Sequence, residues 1–156
     1  MKITFWQRVK PAALACAALL AACAQILIDA LNNADEAREL IEGGMPKLGL
    51  DPRQIKYIVV THGHGDHYGG AKYLVDKYRP RVIATDADWN MMHGKLEFDS
   101  AAWGSPPARD MSVADGQTLT LGDTSMTFYV TTGHTLGTLS PTFDVRTRGH
   151  VHHALL

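Results

Sequence analysis

The chain is 156 residues long, 46% hydrophobic, and carries a formal net charge of -1. That length holds one domain with a core, and that apolar fraction excludes a disordered chain. Lys and Arg cluster only at the N-terminus, so the sequence lacks the basic stripe that a nucleic-acid partner needs.

Residues 1–23 read as an export signal rather than as part of the fold. Lys2, Arg8 and Lys10 make a positive leader, and the apolar run Ala12–Ala22 is too short to span a bilayer. Leu20-Ala21-Ala22-Cys23 matches a lipoprotein cleavage box with Cys23 as the lipidated residue, while Ala22-Cys23-Ala24 also suits ordinary cleavage after Ala24. Either cut leaves roughly 130 residues, exported to the periplasm, touching a membrane only through a lipid anchor at Cys23. No cysteine then remains for a disulfide or a thiolate metal ligand.

Ile26-Leu27-Ile28 is a short strand closed by Asp29. Asn33 is a helix N-cap with Glu36 three residues on, and Gly43-Gly44 stops that helix. Asp51-Pro52 marks a turn. Ile55–Val60 is a strand whose unbroken apolar end predicts burial on both faces, as in a parallel sheet. Residues 68–78 have helical spacing, Val82–Ala84 is a strand, and Thr85-Asp86-Ala87-Asp88 opens a helix with a capping box. Residues 94–112 read as one long loop, of the kind that covers binding sites. Thr118–Leu121 and Met126–Thr131 form a hairpin about Gly122-Asp123, and a last strand runs through Thr142–Arg146.

The chemistry concentrates directly after the second strand, in His62-Gly63-His64-Gly65-Asp66-His67. Ligand sites in open α/β sheets collect at the carboxyl ends of strands. Two histidines at i, i+2 do not share a helix face, but Gly63 and Gly65 let the backbone bend so that alternate side chains converge. Neighbouring Asp66 and His67 point elsewhere, which suits a second metal beside the first. Imidazole and carboxylate without thiolate fit Zn²⁺ well, and Fe or Mn also accept that donor set.

This segment resembles the signature loop of the metallo-β-lactamase superfamily. Gly133-His134-Thr135-Leu136-Gly137 resembles the family's second histidine motif, Asp29 resembles its early structural aspartate, and the resemblance runs over residues 26–140, closer to the β-lactamase-like branch than to the glyoxalase or RNA-processing branches. It implies an α/β αββα sandwich, with His62, His64 and His134 on one zinc and Asp66 and His67 on a second. Three histidines with an open position mark a catalytic zinc site. The implied reaction is attack of metal-bound hydroxide, formed near pH 7, on the carbonyl of a small β-lactam, lactone or thioester. Asp66 is expected to orient the nucleophile and handle its proton.

Against that resemblance the chain is expected to be a partial copy, 24–156, short at both ends and leaving one sheet face uncovered. The runner-up reading is therefore a non-catalytic metal binder or an inactive truncated member of the same fold. His150, His152 and His153 are candidate substitutes for a further metal-binding histidine, although such residues more often lie solvated on an edge strand. Asp144 is a weaker candidate for a bridging ligand. His93 reads as a surface cap. Trp89, Trp103, Phe98 and Met92 are candidates for an apolar substrate groove, although such residues are usually core; packing is the better reading for Trp89, and the two readings are equal for Trp103 in the long loop.

Overall fold

The computed structural model describes residues 24–94 and 99–156. The expected leader, with Cys23, and Phe98 lie outside the described residues. Four strands make a parallel sheet in the order β1 (Gln25–Ile28), β2 (Ile55–Val59), β3 (Arg81–Ala84), β4 (Met111–Ser112). Four more make an antiparallel meander, β5 (Thr118–Leu121), β6 (Thr124–Val130), β7 (Leu139–Thr147) and β8 (His150–Leu155). Helices α1 (Ala34–Glu36, continued in π geometry over Ala37–Glu42), α2 (Gly65–Tyr68), α3 (Ala71–Tyr78) and α4 (Asp86–His93) accompany them. Among the described residues no helix is long and apolar enough to cross a membrane.

Alternation along the parallel strands builds two cores. Ile58, Val60, Val82 and Ala84 pack with Leu74 and Trp89 of the helices. Val59 and Ile83 point the opposite way, against Met126, Phe128 and Leu139 of the second sheet. The layering is helix, parallel sheet, antiparallel sheet. On the outer face of the second sheet the hydroxyl pairs Thr118–Thr127 at 3.3 Å and Thr120–Ser125 at 2.9 Å share the surface with exposed Tyr129, Val151 and Leu155.

Two expectations need correcting. The 68–78 helix is two helices, because Gly69 and Gly70 pass against the 29–33 turn. A Cβ at either glycine would overlap a backbone carbonyl oxygen, of Asn32 or of Ala30. The 94–112 loop also contains β4, a two-residue strand too short to show any period, held by pairing with β3. The Asn33 and Thr85 caps match expectation, accepting from Glu36 N at 3.0 Å and Asp88 N at 3.3 Å.

Candidate metal centre

The centre is built where β1 and β2 end side by side. Asp29 closes β1 in the left-handed region, with φ 59, and its N–H donates to Val59 O at 2.9 Å. Its carboxylate then accepts from Thr61 N at 2.8 Å and Thr61 Oγ1 at 2.9 Å, which fixes the first residue of the histidine turn. Ala30 N donates to His67 O at 2.7 Å, so the far end of that turn is pinned to the same short segment. The second sheet docks through Leu139 N, which donates to Thr61 O at 2.8 Å and brings the loop carrying His134 across the first motif.

Side chains converge accordingly. The donor atoms of His62, His64 and His134 lie within 4.8 Å of one another. His64 Nδ1 faces His134 Nε2 at 3.1 Å, and the His62 ring lies edge-on to His64 and His134 with centroids 5.0 and 4.5 Å away. His62 and His64 are buried and His134 is exposed, so the cluster has one side open to solvent. Burial, reinforced by the other histidines, pushes the His62 imidazole down to about 4. It is neutral at pH 7 and offers a lone pair.

A second group, His62, Asp66 and His67, has its donor atoms within the same limit. Asp66 and His67 are adjacent in sequence, yet α2 brings Asp66 Oδ2 to 3.5 Å from His67 Nε2. His67 Nδ1 lies 2.8 Å from Asp29 Oδ2, and that hydrogen bond raises the pKa of the ring. Asp29 thereby selects which nitrogen of His67 faces Asp66, and Asp66 itself is exposed.

The histidine-rich C-terminal strand does not join the site. His150, His152 and His153 are exposed on β8; His152 Nε2 is 3.0 Å from Thr147 Oγ1 and His153 Nδ1 is 2.5 Å from Asp144. Asp144 lies five residues along β7 from Leu139, about 17 Å at strand rise, so the idea of a bridging Asp144 or a ligand from β8 is set aside. His93 is exposed at the end of α4, and Trp89 is fully buried with its Nε1 donating to Met111 O at 2.8 Å. Trp103 packs on the site: its ring stacks on His64, with centroids 6.2 Å apart, and covers Gly65, where a Cβ would collide with the indole. In the sequence Asp88 stands only as part of a capping box. The structure buries it between the two motifs, with Oδ2 accepting from Thr135 Oγ1 at 3.2 Å.

Histidines gathered at the carboxyl ends of parallel strands, beneath a second sheet that supplies one of them, define a metal-binding α/β sandwich. The chain belongs to the metallo-beta-lactamase superfamily, whose sequence pattern matches residues 24–148. Over 87 residues it is 39% identical to a hydroxyacylglutathione hydrolase of Rhodopseudomonas palustris (strain BisA53), a stretch covering 56% of this chain and 29% of that protein. BJP-1, a subclass B3 metallo-beta-lactamase of Bradyrhizobium japonicum, aligns with TM-score 0.74 and 27% identity over 86% of this chain and 52% of its own. FEZ-1, a metallo-beta-lactamase from Legionella gormanii, aligns with TM-score 0.78 and 23% identity over 86% and 53%, a likeness of fold alone. The chain spans about half the length of these lactamases and under a third of the hydrolase.

Proposed function

We propose that this chain carries the metal-binding part of a zinc-dependent hydrolase that attacks an activated carbonyl in a β-lactam, lactone or thioester. The observation that supports this most is the convergence of His62, His64 and His134 beside Asp66 and His67. When bound, zinc supplies Lewis acidity that activates water and polarises a carbonyl. His62, His64 and His134 would hold a first ion. The donor set fits, because His62 is held neutral and the nitrogens of His64 and His134 face one another. His67 and Asp66 would contribute to a second. Asp29 takes His67 Nδ1 and so leaves Nε2 toward Asp66. We place the nucleophile's proton on Asp66 Oδ2, whose exposure lets that proton pass to solvent. Trp103 shields one face of His64 from water.

The β-lactam reading draws on the likeness to BJP-1 and the thioester reading on the likeness to the hydroxyacylglutathione hydrolase. The test is turnover of a chromogenic β-lactam and of an acyl-glutathione thioester by the zinc-loaded full chain. Turnover of either that stops with chelator, and drops about 100-fold or more in Asp66→Asn, supports the reading. Zinc binding with no turnover of either supports a non-catalytic metal binder instead, a reading favoured by the fact that the second donor group shares His62 with the first.

We also place the protein outside the cytoplasm, on the pattern of residues 1–23. Palmitate labelling lost in Cys23→Ser supports a lipid anchor. A product cut after Ala24 and free in the periplasm contradicts it.

A further inference from the structure

Asp88 stands between the two histidine motifs, and nothing in the metal-binding reading uses it. It lies in the first turn of α4 with 1% of its surface exposed. A carboxylate that deep needs compensation, and here the compensation comes from both ligand loops. From the second loop, Thr135 Oγ1 donates to Asp88 Oδ2 at 3.2 Å. Burial pushes the Asp88 carboxyl up, and Thr135 together with the backbone N–H groups of Gly137 and Gly63, one from each motif, works against that by favouring the charged form. Packing repeats the pattern. A Cβ at Gly137 would lie 2.9 Å from Asp88 Cγ, and one at Gly63 would lie 3.4 Å from Asp88 Cβ. Thr85, the cap of the same helix, donates to Gly137 O at 3.0 Å. The start of α4 therefore grips the His62-Gly63-His64 turn on one side and the Thr135–Gly137 segment on the other.

His64 is the ligand that most needs such support. Its Nδ1 faces His134 Nε2; as a metal ligand that nitrogen keeps its lone pair, and the ring proton then belongs on Nε2, which is buried. The carboxylate of Asp88 is close enough for its charge to act on His64. Its Oδ1 is buried with no hydrogen-bond partner among the described residues. We take that charge to favour the Nε2–H tautomer.

We propose that Asp88 is a positioning residue of the metal centre: it clamps the two histidine loops together and holds His64 in the tautomer that presents Nδ1. This rests on reading His62, His64 and His134 as a metal site. Asp88→Asn tests it, since the amide keeps the shape and can still accept from Thr135 while the charge is gone. Zinc affinity by chelator competition is expected to fall about ten- to a hundredfold, with the thermal midpoint of the metal-free protein unchanged or raised. Asp88→Glu, which restores the charge but lengthens the arm, is expected to recover only part of the affinity. Wild-type affinity in Asp88→Asn overturns the proposal. Zinc binding that is also indifferent to His134→Ala overturns the metal-site reading itself. A metal-free arm stands apart from both. Imidazole ¹⁵N shifts of the apo protein are expected to report His64 as the Nε2–H tautomer and to move toward a mixture in Asp88→Asn; unchanged shifts overturn the proposal whether or not zinc binds.

Discussion

The chain contains two histidine pairs at i, i+2, and among the described residues only one of them converges with other donor side chains. His62 and His64 follow a strand whose last residue, Val59, is fully buried, as is Val60 just beyond it, and glycines alternate with the histidines. Their rings turn inward and meet His134 from the other sheet. His150 and His152 lie within a continuous strand at the meander's edge, side by side and exposed. A strand places alternate residues on one face without bringing them to a point. Convergence takes a bend, and the bend must be held by contacts at least partly withdrawn from solvent. At the first pair Asp29, Thr61 and Leu139 do the holding. At the second the polar contacts are Thr147 with His152 and Asp144 with His153, all on the surface.

The largest expected contrast between the two pairs is in acid. His62 titrates near 4 in the fold and near 6.5 when unfolded, so as pH falls through 6.5 the unfolded chain takes up the proton first. The metal-free fold therefore loses stability between pH 6.5 and 4, by up to about 3 kcal/mol from this group at 1.36 kcal/mol per pKa unit. His67, raised by Asp29, works in the opposite sense and gains stability as pH falls through its raised value. Denaturant unfolding across that range should show a flatter profile for His62→Asn than for wild type. An unchanged slope would show that the first pair is as solvated as the second.

Glycine substitutions sharpen the contrast at a smaller scale. A Cβ at Gly137 would overlap Thr85 Oγ1 and lie 3.1 Å from Asp88 N, whereas one at Gly133, in the same loop, meets nothing within 4 Å. Gly137→Ala should cost about 1–3 kcal/mol, as overpacking does, and weaken zinc binding. Gly133→Ala should leave both nearly unchanged. Equal effects in unfolding and metal titrations would mean that the second motif is not docked on α4. Smallest of all, His150→Ala with His152→Ala should shift stability by no more than about 0.5 kcal/mol, as exposed positions do.

Much of this was legible where the signal is local. The clustering of the first histidine motif, the buried strand before it, the Asn33 and Thr85 caps and the hairpin all announce themselves through residue type and spacing. What escaped depends on contacts through space. β4 exists because β3 offers it a partner, and the break at Gly69-Gly70 comes from the approach of residues 30 and 32. Asp88 could be read as a helix-start residue, but its neighbours Thr135 and Gly63 lie 47 and 25 positions away in sequence. The β8 histidines mislead for the converse reason, since their spacing matches the first pair and only their surroundings differ.

The most direct measurement is zinc stoichiometry by equilibrium dialysis of the full chain, beside His134→Ala and the His150→Ala, His152→Ala double variant. About one or two tightly held ions per chain, lost or reduced in His134→Ala and retained in the double variant, is the predicted result. Zinc retained without His134, or lost with the β8 pair, would contradict a metal centre built from His62, His64 and His134.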